Sequence, residues 1–130
     1  MNIPEDCKHR GKFKKDCCEV LWNGVIIDHD GCVVSNESAC DLVVYDESRI
    51  LFIEIKESRI SSKDAERIVN QIKACEDYYS TFIGHRKKRR IFLHCGSRKK
   101  KRIESYAREK LKRARIEHHD CNKTFDLNKL

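Results

Sequence analysis

The chain of 130 residues lacks the features that mark several common classes of protein. It has a single proline, a single glutamine and five glycines, with no internal repeat, low-complexity tract or glycine-rich phosphate loop. It also has no signal-peptide pattern and no apolar run long enough to cross a bilayer. From these absences we expect an intracellular, cytoplasmic protein without a membrane partner.

Positive charge exceeds negative charge in this sequence as a whole. Lysine and arginine number 28 against 21 aspartate and glutamate, for a formal net charge of +7 and a pI near 9.0. A basic excess in a compact domain indicates a polyanionic partner, most commonly nucleic acid. The high charge density is also typical of thermophile surfaces, although that does not explain its sign. We expect one domain over residues 1–130, with flexible tails at 1–8 and 122–130.

Eight cysteines are many for an intracellular chain of this length. No pair has the C-x₂-C spacing of zinc sites, and two cysteines are adjacent, which is not a usual ligand spacing. The sequence therefore gives little support to a zinc or iron–sulfur site. It leaves two alternatives open: small buried apolar side chains, or disulfides of the kind found in hyperthermophiles.

Two apolar runs, residues 41–45 and 50–56, flank a polar turn and carry charge where a buried strand should be apolar. A hairpin turn at 46–49 pairs them antiparallel and sets Asp41 opposite Glu54. Lys56 follows on the same face of the second strand. Like charges at directly opposed positions are destabilising, so the pattern needs a further explanation.

A divalent metal ion supplies that explanation. Mg²⁺ is commonly held by one or two carboxylates together with water and substrate phosphate. A lysine one strand period away can orient or deprotonate the attacking water, or stabilise developing negative charge. The three side chains thus outline a site for phosphodiester hydrolysis.

Asp41 followed, after twelve residues, by Glu54-Ile55-Lys56 resembles the PD-(D/E)xK nuclease superfamily, with Cys40 in place of the motif's proline. In size and element order the chain is most similar to archaeal Holliday-junction resolvases. The resemblance implies a Mg²⁺- or Mn²⁺-dependent endonuclease acting on DNA. It also implies that Asp41, Glu54 and the carbonyl of Ile55 bind the metal, that Lys56 helps activate water, and that the protein is a homodimer.

The predicted fold is α/β, with the restriction-endonuclease-like order αβββαβα: a mixed central sheet with a β-meander, flanked by helices. Apolar spacing predicts a first helix over 8–23 that ends at Gly24, then a hairpin over 25–28 and 32–35. A capping box at Ser61 and Asp64 predicts the crossover helix, over 61–81. A strand follows at 90–95, then a helix from 97 and an edge strand at 115–119.

The predicted first helix and the crossover helix supply further candidates for the catalytic site. The superfamily often contributes an acid from its first helix, for which Glu19 and Asp16 compete, and Glu19 is preferred because it lies nearer the sheet. RecB-like nucleases place a glutamine on the crossover helix, which suggests Gln71. An ordinary surface role on that helix is an equal alternative for Gln71.

Two basic runs bracket the predicted strand at 90–95 and are candidates for contact with a phosphate backbone. The nine residues are Arg86, Lys87, Lys88, Arg89, Arg98, Lys99, Lys100, Lys101 and Arg102. A solvated surface is the ordinary explanation for one such run, and two around one strand favour nucleic acid. The alternative to an endonuclease is a non-catalytic nucleic-acid-binding subunit of the same fold.

Overall fold

A computed structural model describes residues 2–35, 38–96 and 103–130. Its strands and helices follow in chain order as β1 (Lys8–Lys15), β2 (Cys18–Asp28), β3 (Leu42–Tyr45), β4 (Arg49–Glu57), α1 (Ser62–Tyr78), α2 (Ser80–Ile83), β5 (Lys87–Cys95), α3 (Ser105–Arg113), β6 (Ile116–Asp120) and β7 (Thr124–Asp126). Single turns of 3₁₀ helix form at Glu5–Cys7 and Leu127–Lys129. None of the helices within these ranges combines the length and apolarity needed to cross a bilayer.

All seven strands belong to one mixed sheet. Strands β1 to β6 are adjacent in chain order, and β7 pairs with β2. The first four strands are antiparallel, whereas β4, β5 and β6 run parallel and β7 is parallel to β2. Parallel neighbours require crossover connections, which α1 and α3 provide. The predicted α/β class with a mixed sheet is confirmed.

The sheet buries apolar side chains on both faces. On one face, Phe52 and Phe92 pack with Ile68 and Ile72 of α1. On the other face, the buried cluster joins the first half of β2 to the central strands and to Leu127. The first half of β2, together with β1 and β7, therefore contributes to the cover of the second face.

The predicted first helix is wrong, because residues 8–28 form the β1–β2 hairpin. Strand β1 has one neighbour and carries several lysines, a common protection of sheet edges. At the start of β2, Cys18, Val20 and Trp22 are buried at alternating positions, which is the strand period and not the helical one. Gly24 is no helix stop but lies against β3, where a β-carbon would meet the Tyr45 carbonyl oxygen at 2.2 Å.

The predicted hairpin over 25–28 and 32–35 is also not observed. Strand β2 continues to Asp28 and pairs with β3 instead. The amides of Val33 and Val34 both donate to the His29 carbonyl, so this segment forms a turn. The structure also differs from the predicted loose tails, because Cys7 and Leu127 are buried.

The central prediction of the hairpin and crossover is confirmed. Strands β3 and β4 pair Tyr45 with Ile50, the predicted register. Ser61 and Asp64 form the predicted capping box at the start of α1. Strand β5 and the edge strand β6 lie at the predicted positions. Of the predicted last helix, Ser105–Arg113 is observed as α3, and residues 97–102 lie outside the described part of the chain.

All eight cysteines form disulfides, which decides between the two alternatives left open by the sequence. The pairs are Cys7–Cys32, Cys17–Cys95, Cys18–Cys121 and Cys40–Cys75. The second and third pairs attach the β1–β2 turn to the carboxyl ends of β5 and β6. Cys7–Cys32 attaches the amino-terminal segment to the turn after β2, and Cys18–Cys121 attaches the segment after β6 to β2.

Candidate functional site

Asp41 and Glu54 meet at the end of the β3–β4 pair, as the register requires. The Asp41 amide donates to Glu54 Oε1 at 3.1 Å, and the Ile55 amide donates to Asp41 Oδ2 at 2.8 Å. Lys56 Nζ lies 3.3 Å from Glu54 Oε2. The three predicted catalytic side chains thus form one cluster, in which each residue has a contact with another.

Helix α1 brings Gln71 to the same cluster. With the amide oriented so that its nitrogen faces the carboxylate, this nitrogen lies 2.6 Å from Glu54 Oε2 and donates to it. Gln71 is half-buried. Of the two alternatives for this residue, the structure favours a position at the site.

Burial makes the carboxyl pair electrostatically unusual. Glu54 is 1% exposed and Asp41 7% exposed. Burial, reinforced by the Asp41 charge, raises the pKa of Glu54 to about 9, although Lys56 opposes the shift. Burial also raises the pKa of Asp41. At neutral pH Glu54 therefore keeps its proton, because the Lys56 ammonium does not offset burial and the Asp41 charge.

Asp16 is a further acid near this pair. It occupies the two-residue turn between β1 and β2 with φ of 53°, a conformation that aspartate tolerates better than most residues. It lines a cleft of about 520 Å³ together with Ile55 and Lys56. Its charge contributes to raising the pKa of Asp41. An exposed carboxylate thus borders the opening above the buried pair.

Comparisons with models of protein families, with curated proteins and with solved structures found no match. The resemblance to PD-(D/E)xK nucleases accordingly depends on Asp41, Glu54 and Lys56 alone. The functional argument must come from the chemistry of these residues and their neighbours.

Glu19 was the preferred first-helix acid, and the structure places it elsewhere. It lies on β2 opposite Lys14 and Thr124, and its amide donates to the Lys123 carbonyl at 2.8 Å. The acid brought toward Asp41 is instead Asp16. The β1–β2 turn could have been predicted only by taking Lys15 and Cys18 as the ends of two strands. The helical spacing of the apolar residues favoured a single helix instead.

The first basic run is largely engaged within the protein. Arg86 donates to the Asp46 carbonyl at 2.6 Å, Lys88 pairs with Glu76 at 3.2 Å, and Arg89 forms a two-pronged ion pair with Glu117. Nucleic-acid contact by this run stays a prediction. Lys87 is exposed and takes no part in the three contacts described above.

The first basic run also lies far from the carboxyl pair. Lys88 precedes Phe92, the β5 partner of Glu54, by four residues, or about 13 Å along the strand. The second run, Arg98 to Arg102, lies outside the described residues. The first basic run thus lies at the opposite end of the sheet from the candidate site.

Replacing Glu54 by glutamine tests the electrostatic description of the pair. The folded chain binds a proton on Glu54 between its ordinary pKa and about 9, whereas the unfolded chain does not, so ionisation costs stability as pH rises. Without divalent metal, we expect Glu54→Gln to be more stable than wild type at pH 9 by about 2 kcal/mol or more, and nearly equal at pH 4. Chemical denaturation across this pH range in EDTA measures the difference.

The matched control for that measurement is Glu57→Gln, an exposed glutamate on the same strand. The difference in unfolding free energy between this variant and wild type should stay the same across the pH range. A parallel pH dependence for wild type and Glu54→Gln would contradict the raised pKa of Glu54.

Proposed function

We propose that the protein is a metal-dependent endonuclease that hydrolyses phosphodiester bonds in DNA, with branched or junction DNA as the preferred substrate class. The observation that carries the proposal is the convergence of Asp41, Glu54 and Lys56 at one end of the β3–β4 pair, beside an open cleft. Two buried acids in contact are costly for the fold, and a catalytic role explains their presence.

The donor set fits Mg²⁺ or Mn²⁺. Carboxylates of Asp41 and Glu54 and the Ile55 carbonyl are hard oxygen ligands, which these ions prefer. Burial and the Asp41 charge raise the pKa of Glu54 even beside Lys56, so a divalent cation would favour ionisation of both carboxyl groups. When bound, the ion supplies charge neutralisation at the scissile phosphate and favours ionisation of a nearby water. Asp16 borders the same cleft and would add a further carboxylate to the donor set.

The remaining chemistry belongs to the side chains. Lys56 has an ammonium group with 38% of its side chain exposed, so it reaches both the buried carboxylate and the cleft. It orients the attacking water and stabilises negative charge on the phosphate. Gln71 donates to Glu54 and fixes its orientation. Water attacks phosphorus, the bond from phosphorus to the 3′ oxygen breaks, and the products are a 3′-hydroxyl and a 5′-phosphate.

Cutting both strands of a junction symmetrically requires two such sites. A two-fold homodimer would supply them, and we include this assembly in the proposal. Size-exclusion chromatography with light scattering, with and without junction DNA, measures the number of chains in the complex.

The proposal is tested with Asp41→Asn and a panel of labelled DNA. Wild type is incubated with linear duplex, single strand and four-way junction in Mg²⁺, Mn²⁺ or EDTA. We expect metal-dependent cleavage by wild type and a loss of about 10²-fold or more in Asp41→Asn, because one metal ligand is removed. Asp77→Asn, an exposed aspartate on α1, serves as the control and should cut normally.

A different outcome supports the alternative function. If wild type binds all three DNA forms with equal affinity in metal and in EDTA, and cuts none of them, the endonuclease proposal is wrong. The chain would then be better described as a nucleic-acid-binding subunit. Titrating salt would show that binding as a steep loss of affinity.

A further inference from the structure

A second group of metal-binding side chains lies on the helical face of the sheet, one strand beyond Lys56. Strand β5 contributes His94, which is in register with Lys56 on one side and with Asp120 of β6 on the other. His118, also on β6, is in register with Phe92. The rings of His94 and His118 lie 5.6 Å apart, and both stack on Phe92. The three polar residues thus share one face at the carboxyl ends of β5 and β6.

His94 has a buried nitrogen that lacks a partner. The residue is 0% exposed, and its Nε2 bonds to the Ser58 carbonyl oxygen. A carbonyl only accepts hydrogen bonds, so the proton of the neutral ring is on Nε2 and Nδ1 keeps its lone pair. Among the described residues, Nδ1 has no hydrogen-bond partner, which is unfavourable for a buried polar atom. A backbone carbonyl that fixes one ring nitrogen is how proteins prepare the other for a metal ion.

His118 and Asp120 complete the set. One ligand atom from each of the three residues lies within 4.8 Å of the others, and His118 Nε2 is 3.7 Å from Asp120 Oδ1. Metal–ligand bonds of about 2.0–2.2 Å place tetrahedral ligand atoms about 3.4 Å apart, so the group would contract around a bound ion.

We propose that His94, His118 and Asp120 form a binding site for a divalent transition metal of the zinc, cobalt and nickel class. Two imidazoles and one carboxylate suit these ions, whereas Mg²⁺ prefers the all-oxygen ligands around Asp41. The site shares no ligand with the proposed nuclease centre, although His94 is the β5 neighbour of Lys56, and the proposal does not depend on that centre. Bound metal would join β5 and β6 directly, and through the His94–Ser58 hydrogen bond it would also anchor the connection that precedes α1.

The cysteine sulfurs do not compete for the ion in the oxidised protein. Sulfurs of Cys18, Cys95 and Cys121 also lie within 4.8 Å of one another. Each is already bonded in a disulfide, and the thiolate is the form that binds metals. The test therefore uses the full chain without reductant.

The experiment is a Co²⁺ titration of the oxidised, chelator-stripped protein, followed by the visible absorption of the bound ion. We expect one Co²⁺ per chain with nitrogen–oxygen ligand-field bands, retained in a hundredfold excess of Mg²⁺. His118→Ala and Asp120→Asn should each weaken binding about tenfold or more. These two residues are exposed, so their variants test the site without disturbing the buried His94.

The matched control is His119→Ala, which removes the neighbouring histidine of the same strand. His119 is directed to the opposite face, where its ring lies 5.3 Å from that of Phe125. Its variant should keep the wild-type affinity within twofold. Equal losses in His118→Ala and His119→Ala, or binding by wild type no tighter than by His118→Ala, would overturn the proposal.

Discussion

Replacing Lys56 by alanine is expected to lower the DNA cleavage rate by about 10²- to 10⁴-fold, the usual contribution of a positioned acid, base or charge-stabilising group. The ammonium lies 3.3 Å from Glu54 Oε2 and is the nearest described cation to the buried carboxyl pair. Because its side chain is 38% exposed, its removal leaves no large cavity. DNA affinity should therefore change little while turnover is lost. Single-turnover cleavage and a separate binding titration in Ca²⁺ distinguish the two effects.

Lys73→Ala is the matched control, since Lys73 is an exposed lysine on α1. It should cut DNA at the wild-type rate. A Lys56→Ala enzyme that retains more than about a tenth of wild-type turnover would remove Lys56 from the proposed chemistry, whatever the metal dependence shows. Loss of binding together with turnover would instead assign Lys56 to substrate affinity.

Removing the Cys18–Cys121 disulfide should produce a large loss of stability. With Cys17–Cys95 intact, the bond closes a loop of about 27 residues, for which the chain-entropy model gives about 3.5 kcal/mol. Both cysteines are almost fully buried, so serine at these positions also leaves hydroxyl groups in an apolar cluster. We expect Cys18→Ser/Cys121→Ser to lose about 4 kcal/mol or more of unfolding free energy in guanidinium titrations without reductant.

The Cys40→Ser/Cys75→Ser variant provides the internal comparison. This pair is equally buried and closes a loop of 35 residues, so the same model gives a stabilisation within about 0.5 kcal/mol of that of the first pair. The two variants should therefore lose similar amounts of unfolding free energy. An unchanged midpoint in the Cys18→Ser/Cys121→Ser variant would show that this cross-link does not constrain the unfolded chain as proposed.

The centre of the fold could be predicted because its signals are local. The turn at 46–49 fixes the register of β3 and β4, and with it the opposition of Asp41 and Glu54. The capping box at Ser61 needs only a residue three positions away. These neighbouring interactions also identify Lys56, because strand alternation alone places it on the face of Glu54.

The features that could not be predicted depend on partners distant in the chain. The lysines of β1 are those of a protected sheet edge, but their spacing equally suits the polar side of a helix. The partners of the basic run, Glu76 and Glu117, come from α1 and β6, so the neutralisation of Lys88 and Arg89 is invisible locally. Cysteine connectivity likewise follows from the fold and not from spacing.

The pairing of β2 with β7 has a consequence for how the chain acquires its structure during synthesis. Glu19 and Val20 are adjacent to Thr124 and Phe125, and Cys18 is bonded to Cys121. The first half of β2 leaves the ribosome 103 residues before the cysteine that it must meet. Contacts of such long sequence separation form slowly, since the intervening chain must be ordered first. We therefore expect the first half of β2 to pair with β7 only in a late stage of folding.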